Sequence, residues 1–305
     1  MDRQQLSNIL KEKITGQVLL DEPLSRHTSM DVGGPAAALI YPRSITELSA
    51  VISVLNKEGM PFFPVGNGTN LIVRDGGYDG VIICLKNLQN CKKEEPQNGL
   101  TLLHVQAGLS LQALVSVSIR EALAGIEFYA GIPGSVGGAV KMNAGAFGRS
   151  TGDVITEAML LDNEGQITLR SRDTLKFTYR SLILPEGFTI LEVSYRLHEE
   201  ERGKIEARVK EIFAWRNSHH PLEYPNAGSI FKNPKEIPAG QLIEEAGLKG
   251  FRLGDARISE KHGNFIENVG RAKASDILAL MELTMKKVHE KSGILLEPEV
   301  QIIGD

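Results

Sequence analysis

The chain has 305 residues, of which 42% are hydrophobic and 24% are charged, so it is globular and long enough for two or three domains. Its formal net charge of -4 excludes nucleic acid as the main partner, because no excess of lysine and arginine is available to displace counterions. Two cysteines and the spacing of the seven histidines predict neither a disulfide framework nor a metal site. Charges interrupt the N-terminal segment and no apolar run has membrane-spanning length, which predicts a cytoplasmic protein.

The first third of the chain alternates helices and strands. The segment "MDRQQLSNILKEKI" has apolar residues at helical spacing and predicts an amphipathic helix. A strand is predicted over residues 36–41, and Ser44 and Glu47 predict a capping box at the start of a helix that ends near Gly59. Two further strands, "FFPV" and "GVIICL", flank "GNGTNLIVRD". This order is typical of an α/β protein.

The rest of the chain continues this pattern. A strand over 101–106 and a helix over 109–121 lead into the glycine-rich segment at 130–148, and a hairpin is predicted about 163–165. The strand "FTILEVSYRL" and the charged helix "HEEERGKIEARVKEIFAWRNS" follow, and that helix suggests a domain boundary near residue 200. The last third predicts a helix in "PAGQLIEEAGL", a strand and turn in "ARISEKHGNFIEN", a helix over 275–291 and a final strand, "ILLEPEVQII".

Two segments are unusually rich in glycine: "GNGTN" at 66–70 and "AGIPGSVGGAVKMNAGAFG" at 130–148. Glycine lets a ligand approach the backbone closely, and successive N–H groups then point at an anion such as a pyrophosphate. Neither segment is a Walker loop or a good Rossmann fingerprint. Tight turns between packed strands would explain one such segment. Two of them, each containing Asn, Ser or Thr, favour a nucleotide-like ligand.

The segment "YPNAGSIFKNP" places several hydrogen-bonding side chains in a short span. Ser229 is flanked by Asn226, Lys232 and Asn233, which together offer hydroxyl, amide and ammonium donors. The segment is not a hydrolase elbow, because "AGSIF" lacks the glycine two residues after the serine. A decorated surface turn is the alternative interpretation.

Two further motifs carry charge next to apolar strands. Arg180 follows Tyr179 in "FTYRSL", although an arginine alone predicts little. In "LEPEV", Glu297 and Glu299 share a face if the strand is regular, which is unusual because unpaired buried charge is costly. The alternative is a strand end that emerges into water beside Pro298.

These strings together resemble the UDP-N-acetylenolpyruvoylglucosamine reductase (MurB) family over nearly the whole chain. "HTSMDVGG", "PVGNGTNLIV", "AGIPGSVGGAVKMNAGAFG", "YRSL", "NAGSIFKNP", "AGQLIEEAGLKG", "HGNFIEN" and "LEPEVQIIG" occur in the family's order. The resemblance implies an α/β chain with a vanillyl-alcohol-oxidase-type FAD-binding fold in two subdomains and a C-terminal α/β substrate domain. It implies an N-terminal helix and lead-in over 1–24, an FAD-binding domain over 25–200 divided near 90–100, and a substrate domain over 201–305. The length fits the branch without a substrate-capping loop.

The resemblance also implies the activity. It is the NADPH-dependent reduction of UDP-N-acetylglucosamine enolpyruvate to UDP-N-acetylmuramate through FAD, a cytoplasmic step of peptidoglycan synthesis that serves cell wall biogenesis, cell shape and cell division. Ser229 would donate the proton, and Arg180 and Glu299 would lie beside the enolpyruvyl carboxylate. Glu299 would either hold the arginine or share the proton of that carboxylate.

Further residues are assigned by the same resemblance. Those implied to bind FAD are Val65, Gly66, Asn67, Gly68, Thr69, Asn70, Ala107, Gly108, Gly131, Pro133, Gly134, Ser135, Gly137, Gly138, Asn143, Gly145, Ala146 and Val193. Those implied to bind the substrate are Tyr179, Asn226, Gly228, Lys232, Asn233, Gln241, Lys249, His262 and Asn264. The FAD is expected to be noncovalent, since neither glycine-rich segment contains a histidine or cysteine.

The sequence departs from the family in one place. Members commonly carry Lys-Gln before the proline that leads to the serine segment, whereas this chain reads "RNSHHPLEYP". His219 would be a weaker, pH-dependent contact for the substrate diphosphate, unless Arg216, Lys232 or Lys249 takes this role. A monomer or weak homo-oligomer is expected. The rival hypotheses are a flavin oxidase of the same cofactor fold and a non-catalytic nucleotide-sugar or flavin-binding protein.

Overall fold

The computed structural model describes residues 3–305. Its helices are α1 (Arg3–Lys13), α2 (Ile45–Lys57), α3 (Leu111–Arg120), α4 (Val136–Lys141), α5 (Arg202–His219), α6 (Ala239–Glu245) and α7 (Ala274–Ser292). The predicted N-terminal helix forms as α1, with Leu6 and Leu10 buried. The predicted segment also includes Met1 and Asp2, which lie outside the described residues.

The chain groups into two compact units, and each is made of separate stretches. The first unit comprises the residues up to Leu20, Ala37–Asn67 and Gly80–Ala214. The second comprises Asp21–Ala36, Gly68–Asp79 and Trp215–Asp305. The functional layout over 1–24, 25–200 and 201–305 cuts the chain at other positions and stays a prediction.

Two sheets form the frame of the first unit. The smaller has the order β1-β2-β5-β3, with β3 and β5 parallel, and two or three residues at one end of β1, β2 and β5 are grouped with the second unit. The larger has the order β12-β11-β15-β7-β6, with β8 beside β15, and these neighbouring strands pair antiparallel. The strands of these two sheets are β1 (Val18–Pro23), β2 (Pro35–Ile40), β3 (Phe62–Val65), β5 (Tyr78–Cys84), β6 (Cys91–Lys93), β7 (Leu100–Gln106), β8 (Leu123–Ala124), β11 (Ile155–Leu161), β12 (Ile167–Ser171) and β15 (Thr189–Glu199).

Two small hairpins complete the strands of the first unit. They are β9 (Gly145–Ala146) with β10 (Arg149–Ser150), and β13 (Lys176–Thr178) with β14 (Ser181–Ile183). One hydrophobic core joins the inner face of the larger sheet to α1–α4 and to the start of α5, where Ile205 and Val209 are buried. Burying this apolar surface is the main force that stabilises the unit.

The second unit has a separate core beneath α6 and α7. Its strands are β4 (Leu71–Val73) and β19 (Gln301–Ile303), which pair in parallel, and the antiparallel set β16 (Arg252–Leu253), β17 (Ala256–Ile258) and β18 (Ile266–Asn268). Asp75 accepts hydrogen bonds from the Ala274 and Ser275 N–H groups at 2.8 and 3.0 Å, so residues 68–79 cap the start of α7. Gly293, with φ +72°, ends that helix.

Two local predictions need correction, and one helix forms where the sequence predicted no element. "VGGAVK" is helix α4 despite its two glycines. Ser44 caps α2 as predicted. The Glu47 carboxylate accepts hydrogen bonds from Arg43 and Thr15, and these replace the bond to Ser44 N–H that a capping box requires. The final strand covers only Gln301–Ile303, because Pro298 has no N–H to continue a ladder.

Candidate functional site

In the first unit, the glycine-rich segment packs against the turn that follows β7. Gly137 N–H donates to Ala107 O at 2.9 Å, and Leu111 N–H donates to Gly134 O at 3.0 Å. Ser135 begins α4 by accepting a hydrogen bond from Gly138 N–H at 3.3 Å. The predicted cofactor residues at 107–108 and 134–138 therefore form one continuous backbone surface.

The glycines of this surface do not all serve the same purpose. A Cβ on Gly66 would collide with the Ser135 hydroxyl, and one on Gly137 would lie 2.8 Å from Ala107 Cβ, so these two glycines allow chain segments to touch. Gly134 needs glycine because of its φ of +139°. Gly138 is exposed, and a Cβ there would meet only Ser135 Oγ at 3.5 Å. Gly138 is thus the position in α4 where bare backbone faces open space.

Two of the predicted cofactor residues lie behind this surface. Ala107 and Val193 are at most 1% exposed and belong to the core of the unit, with Val193 paired to Val105 across the larger sheet. Their side chains support the glycine-rich segment from inside. The remaining predictions in this unit, Val65, Asn67, Gly131, Pro133 and Ala146, are exposed or half-buried.

Arg180 lies at the tip of the β13–β14 hairpin. Thr178 pairs with Ser181, so Tyr179 and Arg180 form a two-residue loop, and Arg180 has a φ of +58°. Its Nη1 donates to Gly145 O at 2.8 Å, and its guanidinium carbon lies 5.3 Å from the centre of the Tyr179 ring. The exposed Tyr179 and the half-buried Arg180 are thereby brought together.

In the second unit, the segments of Ser229 and Glu299 lie side by side. Glu299 N–H donates to Ile230 O at 2.7 Å, and Lys232 N–H donates to Glu297 O at 2.9 Å. These bonds place Glu299 opposite Ile230, one residue from Ser229. The half-buried Ser229 and Glu299 differ here from the exposed Glu297, whose carboxylate pairs with Lys232 at 3.2 Å.

The buried side chain of Asn264 binds the other edge of the serine segment. It accepts from Phe231 N–H at 2.9 Å and donates to Phe231 O at 2.8 Å, and its own carbonyl accepts from Ile230 N–H. Asn264 is 2% exposed. Its geometry favours positioning of the serine segment over contact with a substrate.

Residues 68–70 connect the "GNGTN" motif to Glu299 within the second unit. Asn70 Nδ2 donates to Glu299 O at 3.1 Å, and Ser29 N–H donates to Gly68 O at 3.1 Å. The Ser29 hydroxyl is buried and has no hydrogen-bond partner among the described residues. Sequence reasoning did not single out Ser29, although "HTSMDVGG" was among the strings that carried the resemblance.

Other predicted substrate residues of the second unit are tied to their neighbours. Asn226 Oδ1 accepts from Gly228 N–H at 3.0 Å and shapes the turn before the serine. Three polar side chains around α6 bond locally: Asn233 accepts from Ala239 N–H, Gln241 donates to Glu245, and Lys249 pairs with Glu244.

Histidine and tryptophan rings cluster at the end of α5, in the second unit. Trp215 stacks on His219 with ring centres 4.3 Å apart, and His220 lies edge-on to His262 at 5.9 Å. Burial, reinforced by the charge of Arg216, lowers the pKa of His220 to about 4. Burial also lowers the pKa of His262, whose Nδ1 accepts from Asn264 N–H. Both rings are therefore neutral near pH 7.

Residues 3–305 contain neither a candidate metal site nor a membrane-spanning helix. No group of three or more His, Cys, Asp or Glu side chains there could hold a metal ion. None of the helices in the same range combines the length and the apolar character needed to cross a membrane.

Comparison with known proteins identifies both parts of the chain. Residues 220–303 match the family described as "UDP-N-acetylenolpyruvoylglucosamine reductase, C-terminal domain", and residues 36–169 match "FAD binding domain". A UDP-N-acetylenolpyruvoylglucosamine reductase of Syntrophus aciditrophicus (strain SB) is 51% identical over 296 residues, which are 97% of this chain and 95% of its own.

Solved structures agree with these matches. The crystal structure of UDP-N-acetylenolpyruvylglucosamine reductase (MurB) from Thermus caldophilus aligns with a TM-score of 0.79 and 34% identity, over 95% of this chain and 100% of its own. A variant of berberine bridge enzyme aligns with a TM-score of 0.50 and 17% identity, over 66% of this chain and 44% of its own. The second likeness concerns the fold alone, and the two together confirm the predicted FAD-binding fold class.

Proposed function

Because the chain belongs to the UDP-N-acetylenolpyruvoylglucosamine reductase family, we propose that it reduces the enolpyruvyl ether of UDP-N-acetylglucosamine to UDP-N-acetylmuramate. It is an FAD-dependent oxidoreductase that uses NADPH as electron donor, and it acts in peptidoglycan synthesis, on which cell shape and division depend. Its substrates are small molecules, and we place the reaction in the cytoplasm.

The residues present fit FAD in two respects. Gly138 offers exposed backbone with open space beside it, which suits the close approach of a large planar or phosphorylated group. The buried Ser29 hydroxyl beside Gly68 lacks a partner among the described residues, and a polar ligand group would supply one. We assign FAD to the predicted residues at 65–70, 107–108, 131–138 and 145–146, with Val193 as support. When bound, FAD supplies the hydride chemistry that protein side chains cannot perform.

Arg180 is proposed to bind the carboxylate of the enolpyruvyl group. Hydride addition at the methylene carbon of the double bond builds negative charge toward this carboxylate, as in an enolate. A guanidinium held in place beforehand stabilises that charge without reorganising during the reaction. The Gly145 carbonyl provides such a hold, since it accepts a hydrogen bond from Arg180 at 2.8 Å.

Ser229 is proposed to protonate the carbon next to the methylene carbon, which completes the reduction to a lactyl ether. A serine hydroxyl is a weak acid, but a carbanion-like carbon is basic enough to take its proton. Glu299 would either hold the arginine or share the proton of the substrate carboxylate. General acid assistance of this kind is worth about 10²–10⁴-fold in rate.

The pairing of the serine and glutamate segments supports this assignment most directly. Glu299 N–H donates to Ile230 O at 2.7 Å, so a proton donor and a carboxylate lie on neighbouring backbone segments of one unit. The predicted contacts of Tyr179, Asn226, Gly228, Lys232, Asn233, Gln241, Lys249 and His262 with the substrate remain part of the proposal.

The contact with the substrate diphosphate differs from the family pattern, because His219 stands where the family usually has lysine. His219 Nδ1 lies 2.8 Å from Trp215 O, which fixes this nitrogen as the donor. Nε2 is then the nitrogen left for a phosphate, and it can donate only when the ring is protonated. We propose that His219, or in its place Arg216, Lys232 or Lys249, contacts the diphosphate.

The experiment that tests the function follows flavin absorbance without oxygen. The purified holoprotein should be yellow, NADPH should bleach it, and UDP-N-acetylglucosamine enolpyruvate should restore the colour. UDP-N-acetylglucosamine, which lacks the enolpyruvyl group, should leave the bleached protein unchanged. Rapid recolouring by oxygen alone, with no response to the enolpyruvyl substrate, would favour an oxidase. A protein that takes up no FAD would refute both enzymes.

A further inference from the structure

The hairpin that carries Arg180 is too small to hold its own shape. Strands β13 and β14 have three residues each, and only Leu182 among the hairpin residues is buried. A short two-stranded hairpin is marginally stable at best in water. Contacts from other parts of the first unit must therefore keep Arg180 in place.

Packing of a guanidinium on an aromatic ring holds the base of the hairpin, but other contacts must hold the tip. The Arg172 guanidinium lies 4.7 Å from the centre of the Phe177 ring, and its Nε donates to Gly152 O. At the tip, Arg180 adopts a φ of +58°, a left-handed conformation that an arginine keeps only where surrounding contacts impose it.

Those contacts come from the second half of the glycine-rich segment. Asn143 Nδ2 donates to Thr178 O at 2.8 Å, two residues before Arg180, while Asn143 Oδ1 accepts from Gly152 N–H at 3.0 Å. Asn143 itself has a φ of +41°, which asparagine tolerates better than most residues. Its amide thus joins the hairpin tip to the turn that also anchors the hairpin base.

We propose that Asn143 is a positioning residue for Arg180, rather than a residue that holds FAD. Its amide fixes the Thr178 carbonyl, and with it the hairpin tip, so that the guanidinium is placed before the substrate carboxylate arrives. This inference rests on the proposed function, because it assumes that Arg180 binds that carboxylate. A misplacement of about 1 Å in such a group can cost roughly 100-fold in rate.

Two substitutions at Asn143 and one at Arg180 test the proposal in the holoprotein. Asn143→Gly keeps the left-handed backbone and removes both side-chain hydrogen bonds. Asn143→Asp keeps the acceptor for Gly152 N–H and loses the donor to Thr178 O. Asn98→Gly is the matched control, because Asn98 is an exposed asparagine with a φ of +53° in the turn before β7. Arg180→Lys sets the scale of the expected loss.

The measurements are the FAD dissociation constant, the rate of bleaching by NADPH and the rate of recolouring by the enolpyruvyl substrate. Both Asn143 variants should recolour about 10- to 100-fold more slowly, with bleaching and FAD affinity within about twofold of the parent protein. The Asn143→Gly, Arg180→Lys double variant should be little slower than Arg180→Lys alone. Both substitutions disrupt the same interaction, that of Arg180 with the substrate carboxylate. Amide exchange should accelerate in residues 178–182 of Asn143→Gly and stay unchanged in Asn98→Gly.

Two outcomes would overturn the inference while the proposed function stands. Recolouring at the parent rate in both Asn143 variants, with Arg180→Lys slow, would mean that Asn143 does not position the arginine. Loss of FAD affinity in step with both half-reactions would mean that Asn143 is a cofactor residue. If Arg180→Lys itself recolours at the parent rate, the assigned role of Arg180 fails first.

Discussion

The two units hold their site residues by different means. In the first unit, Arg180 lies at the tip of a small exposed hairpin, in a strained backbone conformation imposed by side-chain hydrogen bonds. In the second, Ser229 lies in a segment bonded through its backbone on one side to residues 297–299 and on the other to the buried Asn264. The arginine therefore depends on a few local contacts, whereas the serine shares the stability of its core.

Because of this difference, substitutions in the two units should affect activity and stability differently. A change beside Arg180 loosens a hairpin that contributes little to the core, so it should alter the reaction and leave the free energy of unfolding nearly unchanged. A change beside Ser229 disturbs buried hydrogen bonds and should lower stability as well. The following predictions test this contrast, beginning with the largest effect.

Ser229→Ala should have the largest effect, about 10²–10⁴-fold on recolouring by the enolpyruvyl substrate, because the proton donor is removed. Bleaching by NADPH should be unchanged, since that step needs no proton from Ser229. Stopped-flow absorbance of the two half-reactions measures both rates. Ser116→Ala, at an exposed position on α3, is the control and should match the parent protein. Equal loss in both half-reactions would contradict the assigned role.

Asn264→Ala should lower the free energy of unfolding by roughly 2–4 kcal/mol, because Phe231 N–H and C=O lose their partners while buried. Asn143→Gly should lower it by less than about 1 kcal/mol. Urea titrations of both variants provide the comparison. A larger loss from Asn143→Gly than from Asn264→Ala would reverse the contrast between the units.

Glycines 137 and 138 should respond in opposite ways to alanine. Gly137→Ala brings a methyl group to 2.8 Å from Ala107 Cβ and should destabilise the fold by about 1–3 kcal/mol. Gly138→Ala fills open space, so stability should be retained while FAD affinity falls. Thermal unfolding of the apoprotein and FAD titration separate these effects. If Gly138→Ala binds FAD as the parent does, its open backbone is not where the cofactor lies.

His220→Phe should have the smallest effect near pH 7, because it changes only the pH dependence of stability at lower pH. The pKa of His220 is lowered to about 4 in the folded protein, so its contribution is complete above the unfolded value of 6.5 and is lost as the pH falls through 4. The phenylalanine variant retains the ring contacts with Trp215 and Phe265 and should show a shallower decline between pH 6.5 and 4. The slope can differ by at most about 1.4 kcal/mol per pH unit, since one proton is involved.

Local patterns in the sequence predicted the elements that depend on local chemistry. The Ser44 cap, the hairpin about Gly165 and helix α7 all form near the expected positions. The family resemblance also implied site roles for Ser229 and Glu299, and these roles stay predictions. The cap, the hairpin and the helix each follow from spacing within a few residues.

The sequence failed where distant contacts decide the structure. Helix α4 contains two glycines and would be weak alone, but the packing of Gly137 against Ala107 requires a residue without a side chain there. The hydrogen bond from Asn143 to Thr178 spans 35 residues, so no local pattern could reveal it. Of the two interpretations of "LEPEV", the regular strand does not form, because the strand begins at Gln301 and Glu299 N–H bonds to Ile230 O, more than sixty residues away.

The split composition of the second unit has a consequence for synthesis on the ribosome. Strand β4 is complete at Val73, but its partner β19 begins at Gln301. At a typical speed of about 5–20 residues per second, β4 waits roughly 10–45 seconds for its partner. During that interval the apolar "LIV" of β4 lacks its partner strand β19, and Asp75 lacks helix α7, whose start it caps. A nascent chain of this protein should therefore need shielding at residues 68–79, long after those residues have left the exit tunnel.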